Sequence, residues 1–241
     1  MLAGWLAAGL RPDALTVINP SPRDLPAGVT QAAAPSDRLA RPAAIVLAVK
    51  PAMLATVAPG LAAFTSGVAL VSVLAGVPLA RLAAAFPAAR ITRAFPNTAV
   101  RIGRSVTLMA GSATAEATAL MAALGSCAWL DEERFDAAGA LSASGPAFLF
   151  AFIEALAAAG AAAGLEAGLA DRLALETVAG AAALASGDPR PPAQLRAEVT
   201  SKGGMTQAGL SVLEAGGALT TLMARCVAAA AARSAQMSRE A

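Results

Sequence analysis

Toward the C-terminal side of the chain, Thr200-Ser201-Lys202-Gly203-Gly204-Met205-Thr206 runs into a helix-patterned stretch. The start of a helix leaves backbone N–H groups without intrahelical partners and carries partial positive charge. Paired glycines let a ligand approach such a backbone closely. The chemistry favoured here is capture of a carboxylate. The Thr206 hydroxyl, in the first turn, would reach the same ligand. The same residues would also make an ordinary capped helix start behind a glycine hinge.

Three other polar stretches lie where strands are expected to end, which is where doubly wound sheets bind ligands. In Asn19-Pro20-Ser21-Pro22-Arg23, neutral Asn19 stands where NAD binders usually place a carboxylate for the ribose 2′-OH. The Ser21 hydroxyl and the Arg23 guanidinium suit a 2′-phosphate instead. An ordinary Asn-Pro turn is the competing reading. Val49-Lys50-Pro51 and Phe95-Pro96-Asn97-Thr98 are rigid, hydrogen-bonding strand exits.

Other chemistries are excluded by composition. There are 0 His and 0 Tyr, so no histidine triad, histidine acid/base mechanism or zinc site is expected, and no metal. Cys127 and Cys226 lie far apart and read as small buried apolar residues in a reducing cytoplasm. The 18 basic residues are scattered against 16 acidic ones, and 7 Phe and 2 Trp make stacking platforms scarce, so no nucleic-acid partner is expected.

The elements that must position these loops follow from apolar periodicity. Helices are expected over residues 2–10, 52–64, 79–86 and 114–124. Strands are expected over 15–19, 29–30, 45–49, 67–74, 90–94, 106–109 and 127–130, short and mostly unbroken in their apolar character. Such strands alternating with helices imply a parallel sheet covered on both faces. After Asp131-Glu132-Glu133 the pattern turns helical: about 145–164 behind Ser144-Gly145-Pro146, then 169–186, 192–198, 205–215 and a last helix to 237. The reading is α/β: a dinucleotide-binding, Rossmann-like domain over 1–130, then an all-α domain over 131–241 for dimerisation and substrate binding.

With 57% hydrophobic and 14% charged residues and a mean hydropathy of +0.62, the 241-residue chain is too apolar for an isolated monomer, and a large apolar interface is expected. Residues 147–165 are long enough to span a membrane. Glu154 and the many alanines argue for a buried helix of an oligomer, close-packed through Gly160, Gly164 and Gly168, and against a membrane. No two glycines are separated by a single residue, so no GxGxxG exists. The chain is expected to start inside the first helix, N-terminally truncated, without the first strand and the glycine-rich phosphate loop.

The chain resembles the pyrroline-5-carboxylate reductase family along essentially its whole length. The matching stretches are Ala48-Val49-Lys50-Pro51, Pro96-Asn97-Thr98, LSASGPA at 141–147 with Phe152-Ile153-Glu154-Ala155, and VTSKGGMTQAGLSVLEAGG at 199–217, the most specific. The resemblance implies NADPH-dependent reduction of 1-pyrroline-5-carboxylate to L-proline, the last step of proline biosynthesis, with NADH as a possible second donor. It implies a cytoplasmic homodimer with interleaved helical domains, often assembled into decamers, in which one subunit's substrate loop faces its partner's cofactor domain. By resemblance, Asn19, Ser21 and Arg23 meet the adenosine ribose phosphate, Ala48, Lys50 and Pro51 line the cofactor cleft, and Pro96 and Asn97 sit near the nicotinamide ribose. Ser201, Gly203, Gly204 and Met205 cradle the substrate carboxylate, and Thr206, the catalytic residue, bonds the ring nitrogen.

The sequence departs from the family pattern in the absent glycine fingerprint, in Lys202 where the family usually has Pro, and in Ala99 in place of the Pro after Asn-Thr. Two other readings stand beside it. One is a catalytically impaired assembly module of the same fold. The other is a related Rossmann dehydrogenase of the hydroxyacid type. Those use a catalytic lysine within a helix, whereas Lys50 and Lys202 are the only lysines and neither is inside one.

Overall fold

A computed structural model describes residues 1–36 and 39–240. The chain forms two compact units, residues 1–144 with the C-terminal segment from 229, and residues 145–228. Compactness thus divides the chain elsewhere than the change of pattern near residue 131.

In the first unit, β3 (Ala44–Leu47), β4 (Ala69–Ser72), β5 (Arg90–Phe95), β6 (Ser105–Gly111) and β7 (Gly125–Trp129) form one sheet in that order. β1 (Thr16–Ile18) and β2 (Thr30–Ala32) form a separate parallel pair. The unbroken apolar character of β4 has a plain cause: Leu70 packs into one core and Val71 into another, so both sheet faces are buried. The first core joins Leu47, Leu54, Leu70, Leu82 and Phe86, using α2 (Leu54–Thr65) and α3 (Leu79–Ala85). The second joins Trp5, Val71, Met109, Met121 and Leu124, using α1 (Leu2–Ala7) and α4 (Ala115–Ala122). The Trp5 indole N–H donates to the Leu120 carbonyl at 2.7 Å, fixing α1 on α4.

Three sequence expectations are corrected, and one helix is added. The first helix stops at Ala7 rather than at residue 10, because Gly9 takes a left-handed φ of 93° and Leu10 N–H turns back to the Trp5 carbonyl. The sheet is not parallel throughout: β5 and β6 run antiparallel, joined by a short connection around the 3₁₀ turn Thr98–Ile102. β7 begins at Gly125, two residues before its expected start. A helix with no separate sequence signal, α5 (Phe135–Ser142), lies close to β5: a Cβ on its Gly139 would stand 3.0 Å from the Phe95 ring.

The second unit is helical, as expected: α6 (Gly145–Ala162), α7 (Ala167–Gly187), α8 (Pro192–Glu198), α9 (Met205–Glu214) and the start of α10 (Ala218–Glu240). α6 and α7 pack closely where Gly160 faces Ala170, since a Cβ there would stand 3.3 Å from the alanine methyl. Glu166 caps α7 through both carboxylate oxygens, each 2.9 Å from a backbone N–H, those of Gly168 and Leu169. Large apolar side chains on these helices point outward, including Leu149, Phe150, Phe152, Leu173, Leu175 and Leu184.

Candidate functional site

In the first unit, the loop leaving β1 is built by its own backbone. Pro20 and Pro22 have no N–H, so residues 19–23 offer only three. Asn19 N–H donates to the Ala32 carbonyl at 2.9 Å, and Ser21 N–H to the Asn19 side-chain oxygen at 3.0 Å. Arg23 N–H donates to Gln31 Oε1 at 3.1 Å. The Asn19 side-chain oxygen is therefore used in shaping the turn, while its amide nitrogen has no partner among the described residues. The side chains of Ser21 and Arg23 are exposed and have no hydrogen bond or ion pair among the described residues.

β3, β4 and β5 are consecutive and parallel, so their exits share one edge of the sheet. After β3, Ala48 and Lys50 are exposed and Lys50 leads into the 3₁₀ turn Pro51–Met53. Lys50 has no ionic partner among the described residues. Val73 N–H donates to the Leu47 carbonyl at 3.0 Å, which links the first two exits. The β4 exit then turns at Gly76, with φ of 72° and a Met237 backbone carbonyl 3.3 Å from where a Cβ would lie. The sequence reading ends this strand at residue 74 and passes over Gly76. Its position at the exit of a parallel strand is the available signal.

At the β5 exit Asn97 is a brace. Its side-chain oxygen accepts from Ala99 N–H at 3.0 Å, its amide donates to the Ser142 carbonyl at 3.1 Å, and its backbone N–H donates to Ser105 Oγ at 3.1 Å. It thereby ties the exit to the end of α5, with Pro96 beside it half-buried.

In the second unit the loop before α9 is held from within. Gly203, at φ 74°, donates its N–H to Gln207 Oε1 at 2.6 Å, and Gly204 N–H donates to the Ser201 carbonyl at 3.1 Å. A Cβ on Gly204 would collide with the Ser201 hydroxyl oxygen. An ion pair between Arg196 and Glu214 braces the ends of α8 and α9. Among the described residues no side chain caps α9. The backbone N–H groups of Met205, Thr206 and Gln207 have no acceptor among those residues. Met205 is 92% exposed, and the Thr206 hydroxyl is exposed beside those donors. Gln207, whose side chain fixes Gly203, escaped the sequence reading. It lies one turn along the helix from the glycine it holds.

Each unit carries one candidate cluster: in the first a sheet edge with exposed cationic and hydroxyl groups, in the second N–H donors without acceptors among the described residues beside a hydroxyl. Among the described residues no cluster of side chains fit for a metal occurs. The fold superposes on a pyrroline-5-carboxylate reductase from Coxiella burnetii with a TM-score of 0.88 and 31% identity, over 98% of this chain and 93% of that one.

The chain belongs to the pyrroline-5-carboxylate reductase family. The family model described as pyrroline-5-carboxylate reductase dimerisation matches residues 132–237, so it covers most of the helical half. A Plasmodium falciparum pyrroline carboxylate reductase with NADP bound is similar at a TM-score of 0.82 and 26% identity, covering 98% of this chain and 92% of that one. The pyrroline-5-carboxylate reductase of Pisum sativum is 39% identical over 148 residues, 59% of this chain and 54% of the pea protein. The chain thus spans about half the length of the first curated relatives it matches.

Proposed function

We propose that the chain reduces 1-pyrroline-5-carboxylate to L-proline with NADPH, with NADH as a second donor. The observation that carries this reading is the uncapped start of α9, where three N–H groups and the Thr206 hydroxyl stand behind paired glycines. In this reading the N–H groups of Met205, Thr206 and Gln207 hold the substrate carboxylate, with Ser201, Gly203 and Gly204 lining the cradle. The Thr206 hydroxyl bonds the ring nitrogen and so orients the C=N carbon. A protonated imine is already electrophilic, which suits a chain without histidine or tyrosine: its work is positioning. When bound, the nicotinamide supplies the hydride.

The residues present suit the cofactor's adenosine end. The Ser21 hydroxyl and the Arg23 guanidinium are unpaired among the described residues and would take a 2′-phosphate. Ala48, Lys50 and Pro51 would line the cleft, and Pro96 with the Asn97 brace would shape its far side. We assign the outward apolar side chains of α6 and α7 to a homo-oligomer with interleaved helical domains, a dimer assembling further to a decamer. That assembly would bring one subunit's carboxylate-binding loop to its partner's cofactor domain. The dimerisation family model over this half supports the assignment. We place the enzyme in the cytoplasm, a reading supported by the two free cysteines, Cys127 and Cys226.

NADPH oxidation dependent on 1-pyrroline-5-carboxylate, with proline as product, tests the activity. Binding of both ligands without turnover would favour a catalytically impaired assembly module instead. The helical stretches Glu132–Ala162 and Met205–Arg239 are long and apolar enough to cross a membrane. Recovery of the protein from cells only in detergent would favour that reading over the oligomer.

A further inference from the structure

Gln31 makes three hydrogen bonds to one five-residue loop. It sits in the middle of β2, opposite Val17 of β1 in the parallel ladder, and is half-buried. A glutamine amide has one carbonyl oxygen and two N–H donors. Gln31 Oε1 accepts from Arg23 N–H at 3.1 Å, and Nε2 donates to the Ser21 carbonyl at 2.8 Å and the Asn19 carbonyl at 3.4 Å. All of these bonds go to the backbone of residues 19–23.

Two consequences follow. The loop's three N–H groups are consumed by Ala32, Asn19 and Gln31, so its backbone has no donor left for an anion. An anion there can be met only by side chains: among the described residues Ser21 and Arg23 are exposed and without a partner, and Asn19 is half-buried with its oxygen engaged. Both are residues whose backbone Gln31 holds, Ser21 by its carbonyl and Arg23 by its N–H. Pre-fixing two ligating residues removes ordering cost that binding would otherwise bear.

We infer that Gln31 is a positioning residue for 2′-phosphate recognition, which sets the preference for a 2′-phosphorylated dinucleotide through Ser21 and Arg23 without touching the ligand. This rests on the NADPH reading above. The test is titration calorimetry of the full chain with 2′,5′-ADP and with 5′-AMP, which differ only by the 2′-phosphate. Gln31→Leu should weaken 2′,5′-ADP binding about tenfold, the scale of a lost hydrogen bond, and leave 5′-AMP binding within about twofold. In an Arg23→Ala, Ser21→Ala background the same change should cost nothing further for 2′,5′-ADP, because the residues it acts through are gone. Equal weakening for both nucleotides, or an unreduced effect in that background, would show a merely structural role. Equal affinity of the unaltered chain for the two nucleotides would overturn the inference together with the choice of NADPH. The reductase reading would then still stand or fall by turnover with NADH.

Discussion

Glu132 and Leu79 are joined across 53 residues of sequence: a carboxylate oxygen of Glu132 accepts from the Leu79 backbone N–H at 2.7 Å. Leu79 is the first residue of α3, which carries no side-chain cap of its own. The same oxygen takes the Arg93 guanidinium at 3.1 Å, and that guanidinium lies 4.3 Å from the Phe135 ring centroid. One carboxylate thus caps a helix, neutralises an arginine only 4% exposed, and steadies the turn at the β4 exit.

Glu132→Ala should therefore destabilise the fold by about 2–3 kcal/mol, because it strands a buried charge as well as a helix start. Arg93→Met in the same chain should recover most of that loss, since the uncompensated charge is then gone. Urea unfolding of the single and double variants measures both. No recovery would locate the cost in the α3 cap alone.

Thr206→Ala should lower turnover by about one to two orders of magnitude, the scale of a positioned hydrogen-bonding group. Thr206→Ser should keep most of the activity. The side chain is exposed and caps nothing, so thermal unfolding of both variants should match the parent. Parental turnover in the alanine variant would remove the hydroxyl from the mechanism.

The Glu166 carboxyl is held below the usual carboxylate range, chiefly by the Gly168 N–H and then by that of Leu169. A depressed folded-state pKa contributes stability that is complete above the unfolded value and lost as pH falls through the folded one. Helicity of α7 should then decline on the acid side, and Glu166→Gln should flatten that limb. Circular dichroism across an acid titration gives the comparison. Superimposable acid limbs would contradict the capping role.

Phe150 is 60% exposed on α6, among other outward apolar side chains. Placing a charge there would oppose any interface that buries it. Phe150→Asp should shift the protein toward monomer in sedimentation velocity while leaving the first unit folded. An unchanged sedimentation coefficient would put the interface elsewhere.

The sheet was legible where burial is two-sided. Residues 67–74 read as a strand because Leu70 and Val71 face different cores and leave no polar alternation. The reversal between β5 and β6 was not legible, since periodicity reports burial and not direction. α5 was hidden because Gly139 interrupts an eight-residue helix, yet that glycine is what admits the Phe95 ring. Around residues 200–206, glycines before a helix announced a donor cluster. Asn97 was read as part of a hydrogen-bonding exit, whereas Gln31 and Gln207 stayed silent, because each acts on backbone groups that only the fold brings to it.

β1 and β2 stand apart from the five-stranded sheet, and no described residue from 11 to 43 is buried. A two-stranded pair of this kind is weakly stable alone. Its amides should exchange with solvent by local opening at far lower free energy than those of β4, whose exchange needs global unfolding. A ligand gripping residues 19–23 would raise protection there first, so deuterium uptake over residues 16–32 becomes a direct gauge of whether that loop is occupied.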